Sequence, residues 1–105
     1  MTHRYVYLKD FSEHPGPRYR RLGPDSAEEF RESYLVPAIE SSEQVIVNFD
    51  GVLGIASSFM EGAFGELVRT HKYSADFLYS KLTFEGNRLE VIEAWECIKE
   101  AAKNG

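Results

Sequence analysis

The chain has 105 residues, 43% of them hydrophobic, and a formal net charge of −5. That length holds one domain, residues 1–105, and that apolar content builds a core, which excludes a disordered chain. The acidic balance argues against nucleic acid or an anionic membrane surface as partner, and no apolar run approaches the ~20 residues of a membrane-spanning helix.

Arg4 to Leu8 alternates, with Val6 and Leu8 opposite Tyr5 and Tyr7, and predicts a strand with one buried face. Phe11-Ser-Glu-His-Pro-Gly-Pro17 is a loop rich in breakers. Arg18 to Leu22 is expected as a short edge strand, ended by Gly23-Pro24. Ser26-Ala-Glu-Glu29 is a capping box, and the helix it opens carries Ala27, Phe30, Tyr34 and Ala38 at helical spacing. Pro37 removes a backbone donor, which predicts a kink or an end near Leu35 with Ile39 still packed inward.

Val45 to Phe49 is almost wholly apolar and β-branched, the pattern of a central strand buried on both faces. Asp50-Gly51 turns the chain, and a second helix is predicted to start near Ser58 with Phe59, Met60, Ala63, Phe64, Leu67 and Val68 as its apolar stripe. Gly62 and Gly65 each cost that helix about 1 kcal/mol relative to Ala, so another backbone or a partner is expected close by. Phe77 to Phe84 contains the next strand, clearest over Lys81-Leu-Thr-Phe84. Asn87, with Glu90 three residues on, caps a last helix through about Lys103, whose buried side carries Leu89, Ile92, Trp95, Ile98 and Ala102. The order implies an α/β fold: one mixed four-stranded sheet with about three helices packed on it.

Chemistry concentrates where the central strand hands over to the second helix. Ser57 and Ser58 stand at the positive end of that helix, where a hydroxyl can cap the helix, contact an anion or accept a phosphate. Ser58-Phe-Met-Glu61 fits a capping box, which gives Ser58 a structural role; Ser57 is left without one. Arg18, Arg20 and Arg21 form a local cationic cluster and are the candidate phosphate contacts.

Enzyme signatures are missing around this point. Asn48-Phe-Asp-Gly-Val-Leu53 resembles the first motif of haloacid-dehalogenase phosphatases, but Asn48 stands in the nucleophile's place and an amide cannot form an acyl phosphate. Gly54-Ile-Ala-Ser-Ser-Phe59 is not a nucleophile elbow, and Gly51-Val-Leu-Gly54 lacks the lysine of a phosphate-binding loop. His3, His14 and His71 have no partners at metal-ligand spacing, and the acidic residues single out no carboxylate pair. Cys97 sits among apolar residues at helical spacing and reads as a core filler; as the only cysteine it forms no internal disulfide. With Met1-Thr-His-Arg-Tyr5 showing no secretory pattern, a cytoplasmic location is expected. No catalytic residue, metal or cofactor is expected.

The central stretch resembles the STAS domain of bacterial anti-sigma-factor antagonists. There, an apolar strand bearing Asn or Asp leads through a short turn to a serine pair that opens a helix. Here Asn48 lies in the strand and Ser57-Ser58 follow nine and ten residues later. Gly16-Pro-Arg-Tyr19, Phe30-Arg31, Pro37 and the run from Ser57 through Val68 are similar, more specifically, to a STAS-like family of unknown function. This likeness spans roughly residues 16–84. Ala56 and Phe59 stand where the antagonists carry aspartate and glycine.

The resemblance implies a non-enzymatic regulatory module that switches protein partners, such as a kinase-type ATPase or an anti-sigma-like regulator, with Ser58 as the phosphorylated position. The expected interaction surface comprises Asp50, Gly51, Phe59, Glu61, Gly62 and Gly65 around the serine pair. Two other readings stand beside it. One is a small-ligand or nucleotide-binding domain whose helix start at Ser57-Ser58 holds an anion closed over by Arg18, Arg20 or Arg21. The other is a structural subunit that forms a homo-oligomer.

Overall fold

The computed structural model describes residues 2–104. Among them β1 (His3–Tyr7), β2 (Gln44–Asn48) and β3 (Leu82–Glu85) form a parallel sheet in the order β1-β2-β3. The register aligns Arg4, Val45 and Leu82 in one row and Val6, Val47 and Phe84 in another. Their shared face is the core face, where Val6, Val45, Val47, Leu82 and Phe84 are all buried. The opposite face carries the rows Tyr5–Ile46–Thr83 and Tyr7–Asn48–Glu85, with Tyr5 and Tyr7 exposed and stacked on each other at 5.7 Å. The helices therefore cover one face, a two-layer arrangement.

Among the described residues the expected fourth strand and mixed sheet are not formed. Residues Arg20–Leu22 make a 3-10 turn instead, closed by the bonds Leu22 N–H to Tyr19 and Gly23 N–H to Arg20. The segment has no second apolar residue to alternate with Leu22, which lies 59% exposed, so no sheet face would be buried by extending it. All pairs are parallel because a helical crossover separates every two successive strands.

Five helices stand where about three were expected. The short α1 (Leu8–Phe11) follows β1 directly. In the helical run 27–41, α2, the buried Ser26 accepts the Glu29 N–H at 3.1 Å, the expected cap bond. Pro37 does not end this helix. The turn before it, Arg31–Leu35, widens to a π-turn in which the Val36 N–H reaches back to Arg31 O. Widening relieves the crowding that a proline ring imposes on the carbonyl four residues earlier. It also turns the buried face onto Arg31 and Leu35, and leaves Tyr34, expected inward, exposed but packed on Phe30 and Phe11.

The run 57–69, α3, repeats the device with a second π-turn at Glu61–Gly65. Phe59, Met60, Ala63, Phe64 and Leu67 are fully buried. Of the stretch Phe77 to Phe84 expected to contain a strand, only Leu82 to Phe84 is extended; residues Ala75–Lys81 form α4, because Ser74 caps a turn by accepting the Phe77 N–H at 3.1 Å. The buried pair Leu78 and Leu82 is four residues apart, a spacing that satisfies strand alternation and helix repeat alike. Helix α5 (Arg88–Asn104) starts where expected, with Asn87 Oδ1 accepting the Leu89 N–H at 2.8 Å. Its buried side is Ala94, Cys97, Ile98 and Ala101; Leu89 is 75% exposed and Ile92 also points out, correcting the expected face by about one position.

Candidate functional site at the start of α3

At the carboxyl end of β2, Asn48 Oδ1 accepts the Asp50 N–H at 2.9 Å and its Nδ2 donates to Glu85 Oε1 at 3.1 Å. Asn48 thus ties the turn after β2 to the end of β3, a structural use of the amide. Gly51 takes φ +84, and a Cβ there would meet Lys9 Cδ at 3.0 Å, so the turn needs glycine on two counts. The loop 52–56 then carries Leu53, 77% exposed and bonded through its N–H to Glu13 O, to the first turn of α3.

Helix α3 begins at Ser57, one residue earlier than expected. The position before it is Ala56, which supplies no side-chain cap, so the Ser58–Glu61 capping box is not formed. Both serines are exposed. Ser57 Oγ donates to Glu93 Oε2 of α5 at 2.7 Å. The Ser58 hydroxyl has no hydrogen-bond partner among the described residues, and the Glu61 carboxylate pairs instead with Arg69 at 3.0 Å.

The surroundings are acidic. Glu93 meets Ser57, and the Glu90 carboxyl is pushed above its usual range by partial burial and then by the charges of Asp50 and Glu93. The arginines are placed elsewhere. Arg18 donates to Glu66 Oε2 at 2.9 Å, two turns further along α3, with its Nε buried and unpaired. The Arg20 backbone N–H goes to Glu28, and Arg21 lies 5.2 Å over the Tyr19 ring. None of the three bonds to Ser57 or Ser58.

The expected interaction surface divides. Asp50 and Gly51 are exposed and Glu61 is half-buried. Phe59, Gly62 and Gly65 are buried and leave the surface. Phe59 packs on Phe30 at 6.0 Å between ring centroids. Gly62 lets α3 approach the start of α2: a Cβ there would stand 2.8 Å from both Ala27 Cβ and Arg18 Cγ. At Gly65 a Cβ would meet Arg69 Nη2 at 2.6 Å. These glycines serve internal packing.

Three residues to which the sequence assigned no role in the site shape the region. Arg31, 7% exposed, donates Nη1 to Gly62 O at 2.6 Å, answering a carbonyl inside the π-turn of α3. Its position one turn from both Ala27 and Leu35, on an apolar face, was the available signal. Glu66 accepts from Thr70, Arg18 and Arg69. Partial burial pushes its carboxyl up, and these three hydrogen bonds outweigh that and hold it down at about 2. Glu93 had no sequence signal, because its partner Ser57 lies 36 residues away.

Cys97 is buried, and burial followed by the neighbouring Glu61 pushes its thiol up to about 12, which keeps it protonated and unreactive. Among the described residues no group of three or more His, Cys, Asp or Glu side chains is placed to hold a metal ion, and no helix is long and apolar enough to cross a membrane.

No curated protein and no solved structure matches the chain. A family model described as a STAS-like domain of unknown function (DUF4325) matches residues 26–91, from the Ser26 cap of α2 through both π-turns and the serine-bearing helix start into α5. That match covers more than half of the sequence, and the chain belongs to this STAS-like family.

Proposed function

We propose that the domain is a non-enzymatic regulatory module that holds a protein partner at the exposed start of α3 and releases it when Ser58 is phosphorylated. The observation that carries the reading is the Ser58 hydroxyl, which is exposed and free of any capping duty at a helix start on the carboxyl edge of the sheet. A phosphate there adds about −1.5 to −2 charges. It would stand one residue from Ser57, which bonds Glu93, on a chain that also exposes the apolar Leu53, Leu89 and Ile92. A partner seated on those apolar side chains would have to desolvate the phosphate, and that cost loosens the complex. A kinase-type ATPase or an anti-sigma-like regulator is the expected partner class.

The alternative, an anion or nucleotide held at the same helix start, has less support. Ser57 is already committed to a carboxylate, and Arg18 is engaged at Glu66. The two readings separate in one experiment. The domain is incubated with ATP and the host's histidine-kinase-like ATPases, and the added mass is mapped; partner capture is then compared for wild type, Ser58→Ala and Ser58→Asp. The switch requires a phosphate on Ser58 and at least a tenfold loss of capture for Ser58→Asp, about 1.4 kcal/mol. No phosphate under any condition, with Ser58→Asp capturing as wild type does, removes it. A thermal shift with nucleotides, suppressed by Arg20→Ala, would favour the ligand reading.

A further inference from the structure

At the far end of α3 from the serines lies a cavity of about 420 Å³. It opens where α3, the turn 70–74, the start of α4 and the last turns of α5 meet. Small side chains create it: Ala101 and Ala102 on α5 and Ala75 on α4 leave room that Val68 only partly fills. Its volume falls within the ~300–1,000 Å³ of small-molecule sites, and its walls combine apolar and cationic groups as such sites do.

The charges at its mouth are unequal. Arg69 is fixed by Glu66 through Nε and by Glu61 through Nη2. Glu66 is shared with Arg18. Of the two cations that line the cavity Arg69 is therefore paired, Glu40 accepts from the lining Tyr73 hydroxyl at 2.7 Å, and one lining positive charge is left without a partner. That charge is the Lys72 ammonium, which has no carboxylate within ion-pair distance among the described residues.

Lys72 is also held in an unfavourable backbone state. Its φ is +65, a conformation that glycine adopts without strain and lysine does not. Its N–H bonds to Val68 O at 3.1 Å, and the next residue's N–H to Leu67 O at 3.2 Å, so the end of α3 imposes the turn. Lys72 thus holds the left-handed position that closes α3, beside the cavity and without a counter-ion.

We propose that this cavity binds a small amphipathic carboxylate, with the apolar body against Val68, Ala101 and Ala102 and the carboxylate on Lys72. A carboxylate matches the one lining cation that has no ion-pair partner. A phosphate dianion would bring excess charge beside Glu61 and Glu66. The site is independent of the serine pair and does not rest on the switching role.

Amide NMR titrations of the full chain with hexanoate, hexan-1-ol and inorganic phosphate test it. Hexanoate should shift the amides of Lys72, Ser74, Ala75 and Ala101, binding about tenfold or more tighter than the alcohol, as a charge-assisted contact implies, and tighter than phosphate. Lys72→Gly should raise the melting temperature by relieving the turn, yet reduce hexanoate binding to the level of the alcohol; Lys72→Arg should retain it. Ala102→Phe, at an exposed position, fills the cavity and should abolish all shifts. The proposal falls if hexanoate and hexan-1-ol bind equally, if Ala102→Phe leaves the shifts intact, or if these amides do not move in the wild type.

Discussion

Arg31 of α2 reaches across to α3 and donates its Nη1 hydrogen to the carbonyl of Gly62 at 2.6 Å. Each residue lies within a π-turn, Arg31 in the first and Gly62 in the second. A π-turn leaves a backbone carbonyl without its usual helical donor, and a buried carbonyl must find another. The two irregular turns therefore stabilise each other, one supplying a buried guanidinium and the other the acceptor. Glu32 completes the arrangement by accepting from Arg31 Nε at 2.7 Å while also meeting His71.

Arg31→Leu should accordingly cost about 2–4 kcal/mol, because it removes a buried charge-assisted hydrogen bond to the Gly62 carbonyl and leaves Glu32 without one cation. Urea denaturation of the variant gives the value. A loss below about 0.5 kcal/mol would mean that the carbonyl finds water and that the two turns are independent.

The Glu66 carboxyl, held at about 2 instead of its usual 4.5, links stability to acid. Its folded-state value is depressed, so the contribution is complete above pH 4.5 and is lost as pH falls toward 2. Its size is about 2 kcal/mol once solvent screening of the partly exposed arginines is allowed for. Melting curves between neutral and acidic pH should show this slope in the wild type and a flatter one in Glu66→Gln. Parallel curves for the two proteins would place the acid sensitivity elsewhere.

Gly62 and Gly54 offer a matched pair of substitutions. Gly62→Ala sets a methyl 2.8 Å from both Ala27 Cβ and Arg18 Cγ, so α2 and α3 must separate. The expected cost is about 1–3 kcal/mol. Gly54 has nothing within 4 Å of its Cβ position and does not have a positive φ, so Gly54→Ala should be neutral or stabilise by about 0.4–1 kcal/mol through the unfolded chain. Chemical denaturation of both variants checks the contrast; equal effects would show that α3 can slide on α2.

The local code of the fold is legible in the sequence. The caps at Ser26 and Asn87 bond backbone N–H groups within three residues, and the β-branched run Val45-Ile-Val47 is the middle strand. Such features depend on neighbours in the chain. Where two periods coincide, as at Leu78 and Leu82, the local pattern does not choose between helix and strand, and the Ser74 cap decides.

What tertiary structure alone decided involves partners far apart in sequence. Arg31 meets Gly62 across 31 residues, Ser57 meets Glu93 across 36 and Arg18 meets Glu66 across 48. These contacts join the two widened turns, assign Ser57 to a carboxylate and pair Arg18 with Glu66. The absence of a fourth strand among the described residues has the same origin, since Arg18 to Leu22 has no partner face that extension would bury. Sequence determined the buried middle strand and the helix starts at Ser26 and Asn87, because those preferences are local. Packing determined which polar groups face one another, because a hydrogen bond between distant residues exists only after the helices have docked.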